Sequence, residues 1–176
     1  VLPPEYVAWH IFTTTNRAWI CCYHRFGGEG VVVEWDGYAQ SYNDIHSVYG
    51  VAPISGVNYR EVPIVMNPKG MILEFTGRGF QPMIRQGQQV AFPVFEELGN
   101  ALADSADSSF TTHIEPRGMV VGEDGLVYFN LRNPEQESFR QMAGIWCMNP
   151  ITGRLYNKYS LHTGVGDSDN DTTYSH

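Results

Sequence analysis

The feature that most constrains this chain is the stretch from Arg117 to Leu161. Four apolar runs, Gly118–Val121, Leu126–Leu131, Gly144–Met148 and Arg154–Leu161, are separated by turn chemistry, with Gly122-Glu-Asp-Gly125 at the first junction and Asn149-Pro-Ile-Thr-Gly153 at the last. Glycine tolerates positive φ, proline fixes its own φ, and Asn and Asp bond back to nearby backbone. Short alternating runs broken by these residues therefore predict antiparallel strands joined by hairpins. The spacing predicts a four-stranded antiparallel unit.

Similar units precede it. Ala8–Phe12, Ala18–His24, Val31–Trp35 and Ala39–Ile45 read as four strands, the third a β-branched buried run and the fourth polar as an outer strand should be. Asp36-Gly37 is the strongest short hairpin signal in the chain. Tyr49 to Tyr59 is rich in Gly, Pro and Ser and reads as a link. A second unit follows with Val62–Met66, Met71–Thr76, Phe80–Arg85 and Gln89–Phe92, its third run interrupted by Pro82 and so expected at an edge or a bulge. Val94, Leu98, Ala101 and Leu102 fall at helical spacing behind Glu96 and Glu97, which predicts one short helix over 94–103. The units fall at about 6–48, 57–95 and 115–162 of a single all-β domain, followed by an acidic tail over 163–176. Onsets of the second strand at Ala18, Met71 and Leu126 give steps of 53 and 55, and the glycines expected before the fourth strand are Gly37, Gly87 and Gly153.

A four-stranded unit repeating near this period resembles the blades of the β-propeller superfamily, over roughly Tyr6 to Leu161. Trp35-Asp36 sits in a hairpin without the Gly-His partner of WD40 repeats, and no sialidase-type Ser-x-Asp-x-Gly-x-Thr-Trp turn occurs. Propellers close with about 4 to 8 blades. Three blades form a partial β-propeller, expected to be an excerpt of a longer protein or a protomer that completes its ring by association. The resemblance extends to degenerate propellers of bacteriophage tail and virion proteins, which implies a structural role, subunit partners and homo-oligomerisation. The rival fold is a β-sandwich of ten to twelve short strands, which stands alone at this length.

Composition bounds the function. Charged residues are 17% and aromatics 13% of 176 residues, which favours sheet over helix. A net charge of −8 without a Lys/Arg cluster argues against a nucleic-acid surface. No apolar run approaches the roughly 18 residues of a membrane span. The start at Val1 is neither an initiator methionine nor a signal peptide, so a preceding segment is expected. Cys21, Cys22 and Cys147 are odd in number and lack zinc or disulfide-framework spacing, and they read as buried small hydrophobes.

Few residues carry candidate chemistry. Asp167, Asp169 and Asp171 have the alternate-carboxylate spacing of a calcium loop, but Thr172 stands where the sharp-turn glycine is needed and the chain ends before the twelfth-position Glu. A solvated tail is the preferred reading, and no cofactor is expected. The six histidines show no His-x-x-x-His spacing, although His10 and His24 fall on adjacent expected strands. No Gly-x-Ser-x-Gly elbow occurs, and Gly27-Gly-Glu-Gly30 joins strand to strand instead of opening a helix. Glu29, Glu34 and Asp36 cluster near one hairpin, as charges do at many sheet edges. Trp9, Trp19, Trp35 and Trp146 are expected in the core. Arg17, Arg60 and Arg117 precede expected inner strands and are the interaction candidates. No catalytic residue is expected. The reading is a non-enzymatic interaction module of a larger assembly, with a carbohydrate-binding or carbohydrate-cleaving propeller as its alternative.

Overall fold

The computed structural model describes residues 2–27, 30–38, 42–50, 52–67, 70–91, 115–132 and 144–160. It is all-β, and no helix occurs among the described residues. The short helix expected over 94–103 lies outside them.

Three four-stranded antiparallel sheets follow one another along the chain. Sheet 1 holds β1 (Tyr6–Thr14), β2 (Arg17–His24), β3 (Gly30–Trp35) and β4 (Asp44–Ser47) in that order. Sheet 2 holds β5 (Ser55–Tyr59), β6 (Val62–Met66), β7 (Ile72–Phe75) and β8 (Phe80–Pro82). A small hairpin, β9 (Ile84–Arg85) with β10 (Gln88–Gln89), comes next. Sheet 3 holds β11 (Glu115–Val121), β12 (Val127–Arg132), β13 (Gly144–Met148) and β14 (Leu155–Ser160). The first strand of sheet 2, β5, lies against both β1 and β11, so the three first strands run side by side.

Strand alternation explains the stacking. Successive side chains of a strand point to opposite faces. In sheet 2, Val65, Leu73 and Phe80 face sheet 1, where they join Trp19, Cys21 and Val32 in one core. Their neighbours Ile64, Met66 and Ile72 face sheet 3 and join Met119, Val127, Phe129, Trp146 and Met148 in a second. A strand buried on both faces loses the apolar-polar alternation of a surface strand, and β6 accordingly reads Val-Pro-Ile-Val-Met. Two cores separated by one sheet differ from the single core of a two-sheet sandwich.

The middle sheet begins one strand earlier than the spacing predicts. β5 falls inside the Tyr49–Tyr59 stretch read as a link, and Val62–Met66 is the second strand, not the first. The composition that suggested a link has a packing cause: a Cβ at Gly56 would run into the Phe12 ring of β1, so a glycine lets the two strands approach. Second strands start at Arg17, Val62 and Val127, steps of 62 − 17 = 45 and 127 − 62 = 65, so the near-54 period does not hold. The β9–β10 hairpin and residues 92–114 lie between the second and third sheets and lengthen the later step. Gly87 sits in the β9–β10 turn, not before the fourth strand of a sheet. Pro82 ends β8 at the edge of sheet 2, as a residue without an N–H requires.

Candidate functional site

The interaction candidates do not converge. Arg17 opens β2, and its Nε donates to Glu34 Oε1 at 2.7 Å while His46 Nε2 meets Glu34 Oε2 at 2.7 Å. Glu34 is thus held by two side chains of its own sheet, with His46 packed edge-on against Phe75 of sheet 2. Arg60 is the exposed apex residue of the two-residue β5–β6 turn, its guanidinium 5.4 Å from the Tyr59 ring centroid. Arg117 lies within β11, where the pairing with β12 shifts between Pro116 and Gly118; the structure describes its backbone only. Arg60 therefore follows a first strand and Arg117 lies inside one, so the two are not equivalent. Asp167, Asp169 and Asp171 lie outside the described residues. Among the described residues no group of three His, Cys, Asp or Glu side chains is placed to hold a metal ion.

The β5–β6 turn ties sheet 2 to sheet 1. Arg60 and Glu61 both have positive φ (50° and 67°), the geometry of a hairpin turn whose twist matches its strands. Non-glycine residues occupy this region at some cost, and local bonds offset it. Asn58 Oδ1 accepts from the Glu61 N–H at 2.8 Å, and Asn58 Nδ2 donates to Glu61 Oε1 at 3.1 Å. Glu61 Oε2 then accepts from the Thr15 N–H at 2.9 Å, in the β1–β2 turn. The Thr15 amide, with help from Asn58, holds the Glu61 carboxyl below the ordinary carboxylate range. Along the same seam His10 Nε2 lies 3.0 Å from the Gly56 carbonyl oxygen.

A second tie joins sheet 2 to sheet 3. Arg85 of β9 donates from Nη1 and Nη2 to the two carboxylate oxygens of Glu74 on β7, each at 2.8 Å, and from Nε to the Pro150 carbonyl at 2.8 Å. The paired fork raises the Arg85 pKa, chiefly through the Glu74 bonds. Gly153 has φ 76°, and a Cβ there would press on Val90 and Arg85. Between the small hairpin and the β13–β14 turn lies a cleft of about 520 Å³. Gln86, Gln88, Gln89, Thr152, Arg154 and Tyr156 are among its lining residues. Among the described residues no carboxylate or imidazole lines it. Of its lining residues, Trp146 is only 1% exposed, and the Arg154 guanidinium stands 5.2 Å from the Tyr156 ring centroid.

Comparison with protein-family models, curated proteins and solved structures finds no match. The reading of this chain therefore rests on its own geometry.

That geometry leaves two faces uncovered by another described sheet. On β1, His10 and Phe12 point to sheet 2, and the intervening Ile11 points away and is 57% exposed. Ile11 begins a cross-strand row, Ile11–Ile20–Val33–Ile45, that is apolar in every strand of sheet 1. On β11, Met119 and Val121 point into the core shared with sheet 2, and Val120 points away and is 61% exposed. Its row is Val120–Tyr128–Cys147–Tyr156, beside Ile145, also exposed. Cys22, Val33 and Cys147 are already buried within the chain, so what stays open is chiefly the strip along each first strand and Ile145.

The other expectations sort by burial. Trp19 and Trp146 are core, Trp35 is half-buried, and Trp9 is 64% exposed. Trp9 sits at the register shift between Ala8 and His10, where a bulge re-aims a side chain, and its ring meets Tyr23 edge-on at 6.3 Å. The three cysteines are buried; burial pushes the Cys22 thiol up to about 11 and Cys21 further. The sequence reading missed Ile11, Val120, Glu61 and Arg85. Ile11 and Val120 had a visible signal, since runs apolar on both faces, as in Trp-Ile-Cys-Cys and Ile-Trp-Cys-Met, require cover on both.

Proposed function

We propose that the chain is a non-enzymatic structural and interaction module, three consecutive blades of a partial β-propeller working within a larger assembly. The observation that carries this reading is the row of sheets with β1, β5 and β11 abreast and an apolar strip open at each end. A four-stranded sheet whose inner strand sits beside the inner strand of the next is the stacking unit of a propeller. Apolar rows across both faces of the terminal sheets call for a neighbour, because an amphipathic layer is stable only when its apolar face is packed. Among the described residues the best-formed ties, Arg85 to Glu74 and Pro150 and Glu61 to Thr15, join sheet to sheet, which suits a scaffold. Placement in a virion or phage tail rests on the resemblance alone.

Charge placed on the open strips tests the module. Ile11→Asp and Val120→Asp each remove an apolar contact without touching the two internal cores. The reading expects either variant to weaken self-association or capture by the native assembly at least tenfold, with the wild-type circular dichroism spectrum retained. Unchanged association in both variants would contradict it.

A further inference from the structure

The cleft between the β9–β10 hairpin and the β13–β14 turn has a charge balance unlike that of the chain as a whole. The chain carries a net charge of −8. The cleft is lined by two arginines and, among the described residues, by no carboxylate. Arg85 is committed: its Nη1 and Nη2 hold Glu74, and its Nε holds the Pro150 carbonyl. Arg154 is exposed and differs. Among the described residues its guanidinium makes no hydrogen bond or ion pair and stands over the Tyr156 ring. A guanidinium above an aromatic ring keeps its edge N–H groups available. The cleft therefore holds one uncompensated positive charge whose donors are open.

The neutral groups narrow the ligand. Gln86, Gln88 and Gln89 are exposed on the hairpin, and Thr152 comes from the facing turn. A primary amide both donates and accepts, as a hydroxyl does. Three amides and a hydroxyl therefore suit a ligand rich in hydroxyl groups. One open guanidinium matches a singly charged carboxylate, which its planar fork can grip with two bonds. A phosphate carries up to about −2 and is met by converging backbone N–H groups or a helix N-terminus, and no helix occurs among the described residues. The volume of about 520 Å³ lies within the roughly 300 to 1,000 Å³ of small-molecule sites. We infer that this cleft binds an acidic sugar. Arg154 pairs with the sugar carboxylate, and the glutamine amides of the hairpin meet its hydroxyl groups. Binding here is independent of what covers the terminal sheets.

Titration of the 176-residue chain with glucuronate, glucose and inorganic phosphate, read by calorimetry, tests the site. Glucose has a hydroxymethyl group where glucuronate has its carboxylate. It should bind at least tenfold more weakly, the scale of a lost charge-assisted hydrogen bond. Arg154→Gln should weaken glucuronate at least tenfold and leave glucose unaffected. The Arg154 side chain is exposed, so the circular dichroism spectrum should be that of wild type. Gln88→Ala, also at an exposed position, should weaken both sugars. Glucuronate binding that ignores Arg154→Gln, or that glucose equals, would overturn the carboxylate pairing. Phosphate bound more tightly than glucuronate would overturn the sugar assignment, and sugars indifferent to Gln88→Ala would overturn the role of the amides. A folded chain that takes up no glucuronate at millimolar concentration would remove the site and leave the module reading in place.

Discussion

The two seams of this chain solve the same packing problem with different materials. The seam between sheets 1 and 2 is aromatic and polar. Phe12, Trp19, Phe75 and Phe80 pack there beside His46 and Glu34, and His10 and Glu61 reach across to backbone groups of the neighbouring sheet. The seam between sheets 2 and 3 is larger and mostly aliphatic, with Met66, Met83, Met119 and Met148 around Phe129 and Trp146, and its polar tie, Arg85, sits at the rim. Methionine fills irregular gaps with little directional demand. A seam of rings and hydrogen bonds demands a fixed approach, which Gly56 provides. The first seam should therefore be sensitive to geometry and the second to volume.

The largest effect expected is in the second seam. Trp146→Ala removes a fully buried indole, and large-to-small core changes of this kind cost about 3 to 5 kcal/mol. Urea unfolding reads it; a cost under about 1 kcal/mol would show that the two sheets do not share a core. Next comes Gly56→Ala, which forces a methyl against Phe12 and should cost about 1 to 3 kcal/mol, the range of overpacked sites. The same change in a Phe12→Leu background should cost less, and equal costs in both backgrounds would break the account of the first seam. Glu74→Gln takes half of the carboxylate fork from Arg85 and should cost about 1 to 2 kcal/mol, scaled from charge-assisted hydrogen bonds.

Smaller effects sharpen the contrast. The folded state depresses the Glu61 carboxyl, so the tie to Thr15 contributes its full share above the ordinary carboxylate value of 4.5 and loses it as pH falls through the lower folded value. Hydrogen exchange at the Thr15 amide should accelerate, relative to the intrinsic rate, as pH drops below that value, and Glu61→Gln should remove the pH step. An amide whose protection is indifferent to both would show that the clamp is not formed in solution. The smallest change is Trp9→Ala, within about 0.5 kcal/mol, because the side chain is mostly exposed.

Legibility followed locality. The strands of sheet 3 lie close to the runs marked out by Gly122-Glu-Asp-Gly125 and Asn149–Gly153, because turn residues act on their own backbone. The interrupted strand at Pro82 is a sheet edge, as its missing N–H suggests, whereas the fourth strand of sheet 1 is Asp44–Ser47 and overlaps the expected Ala39–Ile45 only at its end. The link read into Tyr49–Tyr59 was where locality failed: Gly56 is a glycine because of Phe12, which lies 56 − 12 = 44 positions away. Arg17 shows the same limit. Arg17 looks free in sequence, and only the pairing of Trp19 with Glu34 brings the carboxylate that occupies it. The doubly apolar runs of β2 and β13 signalled that sheets 1 and 3 need cover on both faces, but that Ile11 and Val120 stay exposed shows only once their neighbours' partners are known.

The most direct test of the account is the light-scattering mass of the 176-residue chain across a wide concentration range. The account predicts a concentration-dependent rise above 19.8 kDa, reached at higher concentration in Val120→Asp. A mass that stays at 19.8 kDa at every concentration, or a rise that ignores Val120→Asp, would contradict it.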